Sequence, residues 1–229
     1  MGKLMEQGKI RGWGSCNDNT FGLTMLAETA KRMGVPPPSS MQNDFSLINR
    51  RIEQDGVAEA SSPIHENTGF LAYNTLAGGV LTGKYEEGDP PAWDDFQLNP
   101  ERAQKTLERP RGRHDDLSWG TTLYRYRTAA AKEATRKYAA IAKKAGMPLT
   151  ELALRWARQR EYVTSVLLGT SNVAQLQQDL VFFRKREELP AAVMAEIDAV
   201  HMRNRLPIFS SQRYQPQWNN EGEIGEPVP

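Results

Sequence analysis

The residues best placed to do chemistry lie in "GGVLTGKY", residues 78–85. Gly78, Gly83 and Lys84 complete the spacing of a phosphate-cradling loop, in which glycine lets the backbone approach and the lysine adds charge. That loop also needs a hydroxyl at the next position to hold magnesium, and Tyr85 stands there. Its lysine must open a helix whose N-terminus faces phosphate. Here "YEEGDPPAW" follows: Pro90 and Pro91 leave no room for an ordinary helix, and Glu86, Glu87 and Asp89 repel a polyphosphate. These features count against a triphosphatase loop and favour a glycine-rich loop of another kind. The other reactive residues are scattered. Cys16 is alone, and His65, His114 and His201 are too far apart for metal-ligand spacing, so all three read as surface or loop residues. "RPRGRHDD" (109–116) carries three arginines within five residues and reads as a solvated loop.

The glycine-rich loop follows "TGFLAYNTL" (68–76), a near-continuous apolar run of the kind found in parallel strands buried on both faces. The same alternation of strand and helix runs through the chain. "KIRGWGS" (9–15) and "SSMQNDFSLI" (39–48) read as strands, and "YVTSVLLGTS" (162–171) as a further buried strand. Phe21, Met25, Leu26 and Ala30 recur at helical spacing in 19–34, which stops at Gly34 ahead of three prolines. Residues 51–64 read as one short helix broken by Pro63. Helices are also expected over 125–145, ending at Gly146, over 149–160 with Thr150 as N-cap, over 172–183, and over 190–201 with Pro190 in its first turn. Residues 76–122 lack periodicity, a length of connection that is usually functional or disordered. From Met202 the chain reads as an irregular tail, so the division is a domain over 1–201 and a tail over 202–229. Four strands alternating with helices imply βα units and a parallel sheet, an α/β fold.

Composition narrows the classes. The 229 residues are 39% hydrophobic and 25% charged, with a net charge of +1. Neither nucleic acid nor an anionic membrane surface is indicated. No apolar run approaches the ~20 residues that span a bilayer. One cysteine forms no internal disulfide, and a reducing, cytoplasmic setting is the expectation. "MGKLMEQGKIRG" lacks a secretory apolar core, and Glu6 stands where a myristoylation signal needs Ser or Thr. The same stretch reads as mid-helix sequence, with Met1 an internal methionine.

Taken together with its strand, "GFLAYNTLAGGVLTGKY" resembles the seventh-strand loop of the aldo-keto reductases, in the branch that includes the potassium-channel β subunits. "GKIRGWGSCN" resembles the end of that family's fifth strand, "MQNDFSLINR" its sixth, and "LALRWA" with "VTSVLLGTSNVAQLQQDL" its last strand and helix. The ordered match runs from about Lys9 to His201. The family fold is a (β/α)8 TIM barrel with its site at the C-terminal strand ends. The resemblance implies that this chain holds the last four βα units, a half-barrel, plus a C-terminal helix and tail. No stretch resembles the family's catalytic Asp, Tyr, Lys and His, so no catalytic residue is assigned.

The resemblance further implies an NADP(H) site. Cys16 and Asn17 fall where Ser and Asn hold the nicotinamide carboxamide, and Gln42 on a third contact to it. A thiol is a weak donor, so Cys16 grips less firmly. Tyr73 falls where an aromatic ring stacks on the nicotinamide. Asn74, Thr75, Leu76, Ala77 and Gly78 fall on the stretch that wraps the pyrophosphate, and Lys84 on a phosphate contact. Gly169, Ser171, Gln175, Gln178 and Asp179 fall on the motif that takes the 2′-phosphate and adenosine at a helix N-terminus, with Asp179 in place of the usual Asn. An arginine of 109–116 would reach the same phosphate from the family's long loop. Each residue also has an ordinary reading: Asn17 as a helix N-cap, Gln42 as a solvated strand end, Tyr73 as a core tyrosine, Lys84 as a surface lysine, and Gln175 and Gln178 as a solvated helix face. Trp13 lies in the strand that leads to Cys16, while Trp119, Trp156 and Trp218 have packing roles only.

Two functional readings follow. One is an NADP(H)-dependent oxidoreductase that reduces a small-molecule carbonyl to an alcohol, represented by its cofactor-binding half and inactive alone. The other is a non-catalytic nucleotide-binding or regulatory piece, or an incomplete gene model. Half a barrel has two open sheet edges, so self-association is expected as well.

Overall fold

The computed structural model describes residues 1–85, 112, 114 and 124–209. Strands β1 (Gly14–Cys16), β2 (Ser40–Asp44), β3 (Gly69–Tyr73) and β4 (Val163–Val166) form one parallel sheet in the order β1-β2-β3-β4. The helices among the described residues are α1 (Gly2–Glu6), α2 (Thr20–Arg32), α3 (Arg51–Gln54), α4 (Val57–Ala60), α5 (Ala129–Lys144), α6 (Leu149–Arg158), α7 (Val173–Arg184) and α8 (Ala191–Arg203). The expected parallel α/β pattern is present in chain order, with β1 three residues long rather than seven.

One face of the sheet carries the core. Side chains alternate across a strand, and Met41, Asn43, Phe70 and Ala72 on alternate positions are buried. Phe45 continues that row and stacks on Trp156 of α6 with ring centroids 4.9 Å apart. Phe70 meets Phe45 edge-on at 6.2 Å. Leu23, Ile52, Tyr138 and Leu152 complete the layer from four helices. The opposite face is only half covered. Leu71 and Tyr73 are half-buried, and Thr164 and Ser165 of β4 are exposed. This corrects the expectation of strands buried on both faces: hydrophobic composition alone does not reveal that the helices stand on one side.

Other expectations shift for local reasons. Residues 51–64 form two short helices, because Gly56 takes a left-handed φ of 79° between them. On α2 the buried row is Leu23, Ala27 and Ala30, while Phe21 and Met25 are exposed. The expected apolar row therefore belongs to another face, with Ala30 alone in common. Asn19, not Asn17, caps α2 by accepting from Gly22 N–H at 2.9 Å. Pro148, not Thr150, is the N-cap of α6. Gly146 ends α5 with a φ of 70°, as expected. The beginning of the presumed tail is docked: Pro207–Phe209 form a 3-10 turn, Thr128 Oγ donates to Pro207 O at 2.6 Å, and Ile208 is buried. Trp119, Trp218, most of 86–123 and residues 210–229 lie outside the described residues.

Two charged networks tie the helices together. Glu151 is buried in α6 and accepts from Arg155 at 2.9 Å and Lys185 at 2.8 Å. Burial would raise its carboxyl, but those bonds outweigh it and hold the group below the usual range. Arg155 and Arg158 also donate to the carbonyls of Glu187, Phe183 and Lys185, which fixes the chain at the C-terminal end of α7. In the second network Arg50 binds Glu53 at 2.5 Å and Asp198 at 2.7 Å, and Arg160 binds Glu53 at 2.8 Å. His201 is buried beside it, not on the surface, with its ring nitrogen 3.4 Å from Gln54.

Candidate cofactor site

Parallel strands place the residues that follow them at one end of the sheet, where ligands of open α/β folds collect. Register puts Cys16 beside Gln42, and Gln42 beside Leu71, on one row; Asp44 pairs with Tyr73 two residues further along. These residues share the face turned away from the core. Cys16 Sγ lies 4.0 Å from Gln42 Oε1, a weak contact. Asn17 takes a left-handed φ of 61°, its N–H donates to Gln42 O at 2.9 Å, and its side-chain oxygen accepts from the Tyr73 hydroxyl at 2.7 Å. The structure thus brings together the four residues implied for the nicotinamide: Cys16, Asn17, Gln42 and Tyr73. Tyr73 is not a core tyrosine, since its ring stays half-exposed on the open face. Burial, then the charge of Asp44, pushes its phenol up.

The turn after β3 is built from left-handed residues: Asn74 at φ 56°, Ala77 at 50°, Gly78 at 64° and Gly79 at 98°. A non-glycine residue holds such a φ only where its surroundings enforce it. Thr75 and Ala77 are buried, and the N–H of Ala77 donates to Asn74 O at 2.6 Å. This peptide group turns inward, while Leu76 and Gly78 line the turn half-exposed. A 3-10 turn, Ala77–Thr82, follows and ends at Gly83 with φ 81°. Lys84 folds back over it. A Cβ on Gly79 would stand 2.8 Å from Lys84 Cε, and one on Gly112 would stand 2.2 Å from Lys84 Nζ. The lysine therefore runs between two glycines, with its ammonium 5.1 Å from the centre of the Tyr85 ring. It is packed into the loop rather than free in solvent.

Sequence reasoning missed the groups that brace this end. His114 is buried, not superficial. Its ring nitrogen lies 3.1 Å from Ala77 O, and its N–H donates to the Tyr85 hydroxyl at 3.2 Å. Asp44 accepts from Arg125 Nε at 3.1 Å and also from Arg125 Nη2 and the Tyr126 hydroxyl. Burial, then Asp44, holds the Tyr126 phenol well above its usual value. The signal for Asp44 was available: it stands two residues after Gln42 and so shares its face. For His114, Arg125 and Tyr126 no local pattern pointed inward.

The second cluster follows β4. Asn172 caps α7 by accepting from Gln175 N–H at 2.9 Å. Ser171 donates through both its N–H and its hydroxyl to Gln175 Oε1, each at 2.9 Å. Both donors thus point at one oxygen beside the N-terminus of α7. Gly169 and Gln178 are exposed. Asp179 is buried, with its carboxyl pushed up by desolvation. It does not share the surface of Ser171 and Gln178. The two clusters are neighbours through the β3–β4 pairing, where Leu167 N–H donates to Ala72 O at 2.8 Å; among the described residues no hydrogen bond joins their side chains directly. No helix among the described residues is long and apolar enough to cross a membrane.

Known proteins share this arrangement of sequence. A Babesia bovis protein named aldo-keto reductase is 31% identical over 206 residues, covering 90% of this chain and 66% of that protein. Protein tas of Escherichia coli K12 is 32% identical over 201 residues, covering 88% of this chain and 51% of its own. Human aflatoxin B1 aldehyde reductase member 2 is 28% identical over 213 residues, covering 87% of this chain and 54% of its own. The chain thus spans about half to two thirds of the length of these curated relatives. The model of the aldo/keto reductase family matches residues 1–201, and on that match the chain belongs to the aldo/keto reductase family.

Proposed function

We propose that this chain is the cofactor-binding side of an NADP(H)-dependent reductase that converts carbonyls to alcohols. In this reading its strands are the last four of a (β/α)8 barrel, in the branch of the potassium-channel β subunits. One observation carries it: residues from three strands, Asn17, Gln42 and Tyr73, converge at one sheet end around a half-exposed aromatic ring. A bound nicotinamide would supply the hydride chemistry. The chain's own part is to bind and orient. Tyr73 offers a flat face for ring stacking. Asn17 holds that ring through its hydroxyl. Gln42 and Cys16 offer an amide and a thiol for a carboxamide, and the Leu76–Gly78 turn offers backbone for a pyrophosphate. Ser171, at the N-terminus of α7, favours a 2′-phosphate.

The chain supplies orientation rather than proton transfer. A general acid works best with its pKa near the operating pH. Tyr73 and Tyr126 are both pushed upward, by burial and then by Asp44. Neither releases a proton readily near neutrality. The 229-residue chain is therefore expected to bind NADPH weakly and to show no NADPH-dependent reduction of an aldehyde such as 4-nitrobenzaldehyde, followed at 340 nm. Turnover that survives in Tyr73→Phe and Tyr126→Phe variants would mean that another residue acts as the acid and that the binding-half reading is wrong.

A further inference from the structure

We propose that Asp44 and Arg125 set the charge beside the nicotinamide, and with it the chain's relative affinity for the oxidised and the reduced cofactor. The assignment rests on the NADP(H) reading above, but on two residues to which that reading gives no contact with the cofactor. Asp44 stands two residues beyond Gln42 on β2 and pairs with Tyr73 on β3. Two residues along a strand span about 6.6 Å, and neighbouring strands lie about 4.8 Å apart. The carboxylate therefore stands within about 10 Å of a ring stacked on Tyr73. Its side chain is only 10% exposed. All three of its donors, Arg125 Nε, Arg125 Nη2 and the Tyr126 hydroxyl, go to Oδ2. Oδ1 is buried with no hydrogen-bond partner among the described residues. A buried polar atom left so calls for an explanation. Out of water, this charge is also screened less than one on the surface. Arg125 opposes it from a fixed place, its guanidinium 4.9 Å from the centre of the Tyr126 ring.

Both charges are felt at the Tyr73 side chain. Burial raises its phenol most; beyond burial, Asp44 raises it and Arg125 lowers it. An oxidised nicotinamide carries a positive charge on its ring, and a reduced one carries none. The two forms thus differ by a single charge, which Asp44 attracts and Arg125 repels. As a pair the two groups cancel, and neither form gains. Removing one member tips the balance with a definite sign. Asp44→Asn leaves the guanidinium and favours the reduced form. Arg125→Gln leaves the carboxylate and favours the oxidised form. Removing both restores the balance. A pair that only braced the fold would behave differently: each loss would weaken both forms alike, and the double variant would bind no better than either single one.

Isothermal titration calorimetry of NADP+ and NADPH into residues 1–229, the two single variants and the double variant tests it. The quantity read is the ratio of the two dissociation constants. Asp44→Asn should shift that ratio roughly three- to tenfold towards NADPH, and Arg125→Gln by a similar factor towards NADP+. The double variant should return to within about twofold of the unaltered chain, since neighbouring charges do not act additively. Arg125→Lys keeps the charge and should keep the ratio. Equal changes for both cofactors, a shift of the wrong sign, or a double variant as far displaced as a single one would overturn the proposal. If one single variant unfolds, the other decides through its own sign. Unfolding of both would make the pair a brace alone and overturn it as well. No binding of either cofactor to the unaltered chain would sink the NADP(H) reading itself, and this assignment with it; binding with an unmoved ratio would sink only the assignment.

Discussion

In the proposed site, Tyr73 would serve packing and binding together. Its hydroxyl is tied to Asn17, and its ring face is left open. Stacking of an aromatic ring on a base is worth about 1–3 kcal/mol, whereas a neutral hydrogen bond contributes about 1 kcal/mol net. Tyr73→Ala should therefore weaken NADPH binding by roughly tenfold or more, and Tyr73→Phe by no more than about fivefold, read by fluorescence titration. Equal losses would mean that the hydroxyl, not the ring, matters. His201 makes a different prediction. Burial, followed by the nearby Arg50, lowers its pKa from 6.5 to about 4. Glu53, Asp198 and Arg205 also face it. The neutral form is the one that fits the fold. Below pH 6.5 the unfolded chain takes up the proton first, so stability contributed above that pH is lost as pH falls towards 4. The loss should be on the order of a few kcal/mol. Urea midpoints for His201→Gln should fall less steeply across that window than those of the wild type; parallel curves would contradict the assignment.

At the scale of elements, stability depends on where a charge sits. Glu151 of α6 is buried between Arg155 and Lys185, whereas Glu133 of α5 pairs with Lys137 in solvent. Removing a buried partner leaves an unpaired charge and costs about 3–5 kcal/mol; an exposed helical pair, screened by water, contributes little. Denaturant unfolding should therefore separate Glu151→Ala sharply from Glu133→Ala, and similar midpoints would count against the network. The elements themselves were largely legible in the sequence. Apolar spacing and the stops at Gly34 and Gly146 located α2 and α5, and the alternation of strand and helix implied the parallel sheet. Burial was less legible. The face of α2 was misjudged because Phe21 and Met25 are as apolar as Leu23, and only packing tells them apart. Gly56 split a helix that composition left whole. For the site, the ordered motifs anticipated the convergence of Cys16, Asn17, Gln42 and Tyr73. The Asp44, Arg125 and Tyr126 cluster was not anticipated, because it joins residues about 80 positions apart through a segment without periodicity.

At the largest scale, the described residues form a sheet with one covered face, one half-covered face and a row of candidate binding groups along one end. Its two clusters belong to neighbouring strands: Asn17, Gln42 and Tyr73 at β1–β3, and Ser171 with Gln175 after β4. The central proposal is that these two clusters take NADP(H), with the 2′-phosphate at Ser171. Ser171 already directs two donors at a single acceptor oxygen, and charged acceptors strengthen such bonds about twofold over neutral ones. The most direct measurement is a parallel fluorescence titration of NADPH and NADH into residues 1–229 and into Ser171→Ala. The account predicts saturable binding with NADPH preferred by roughly tenfold, the size of one charge-assisted bond, and a preference that shrinks in Ser171→Ala while NADH binding is unchanged. Equal affinities for the two cofactors, or a preference untouched by Ser171→Ala, would contradict it.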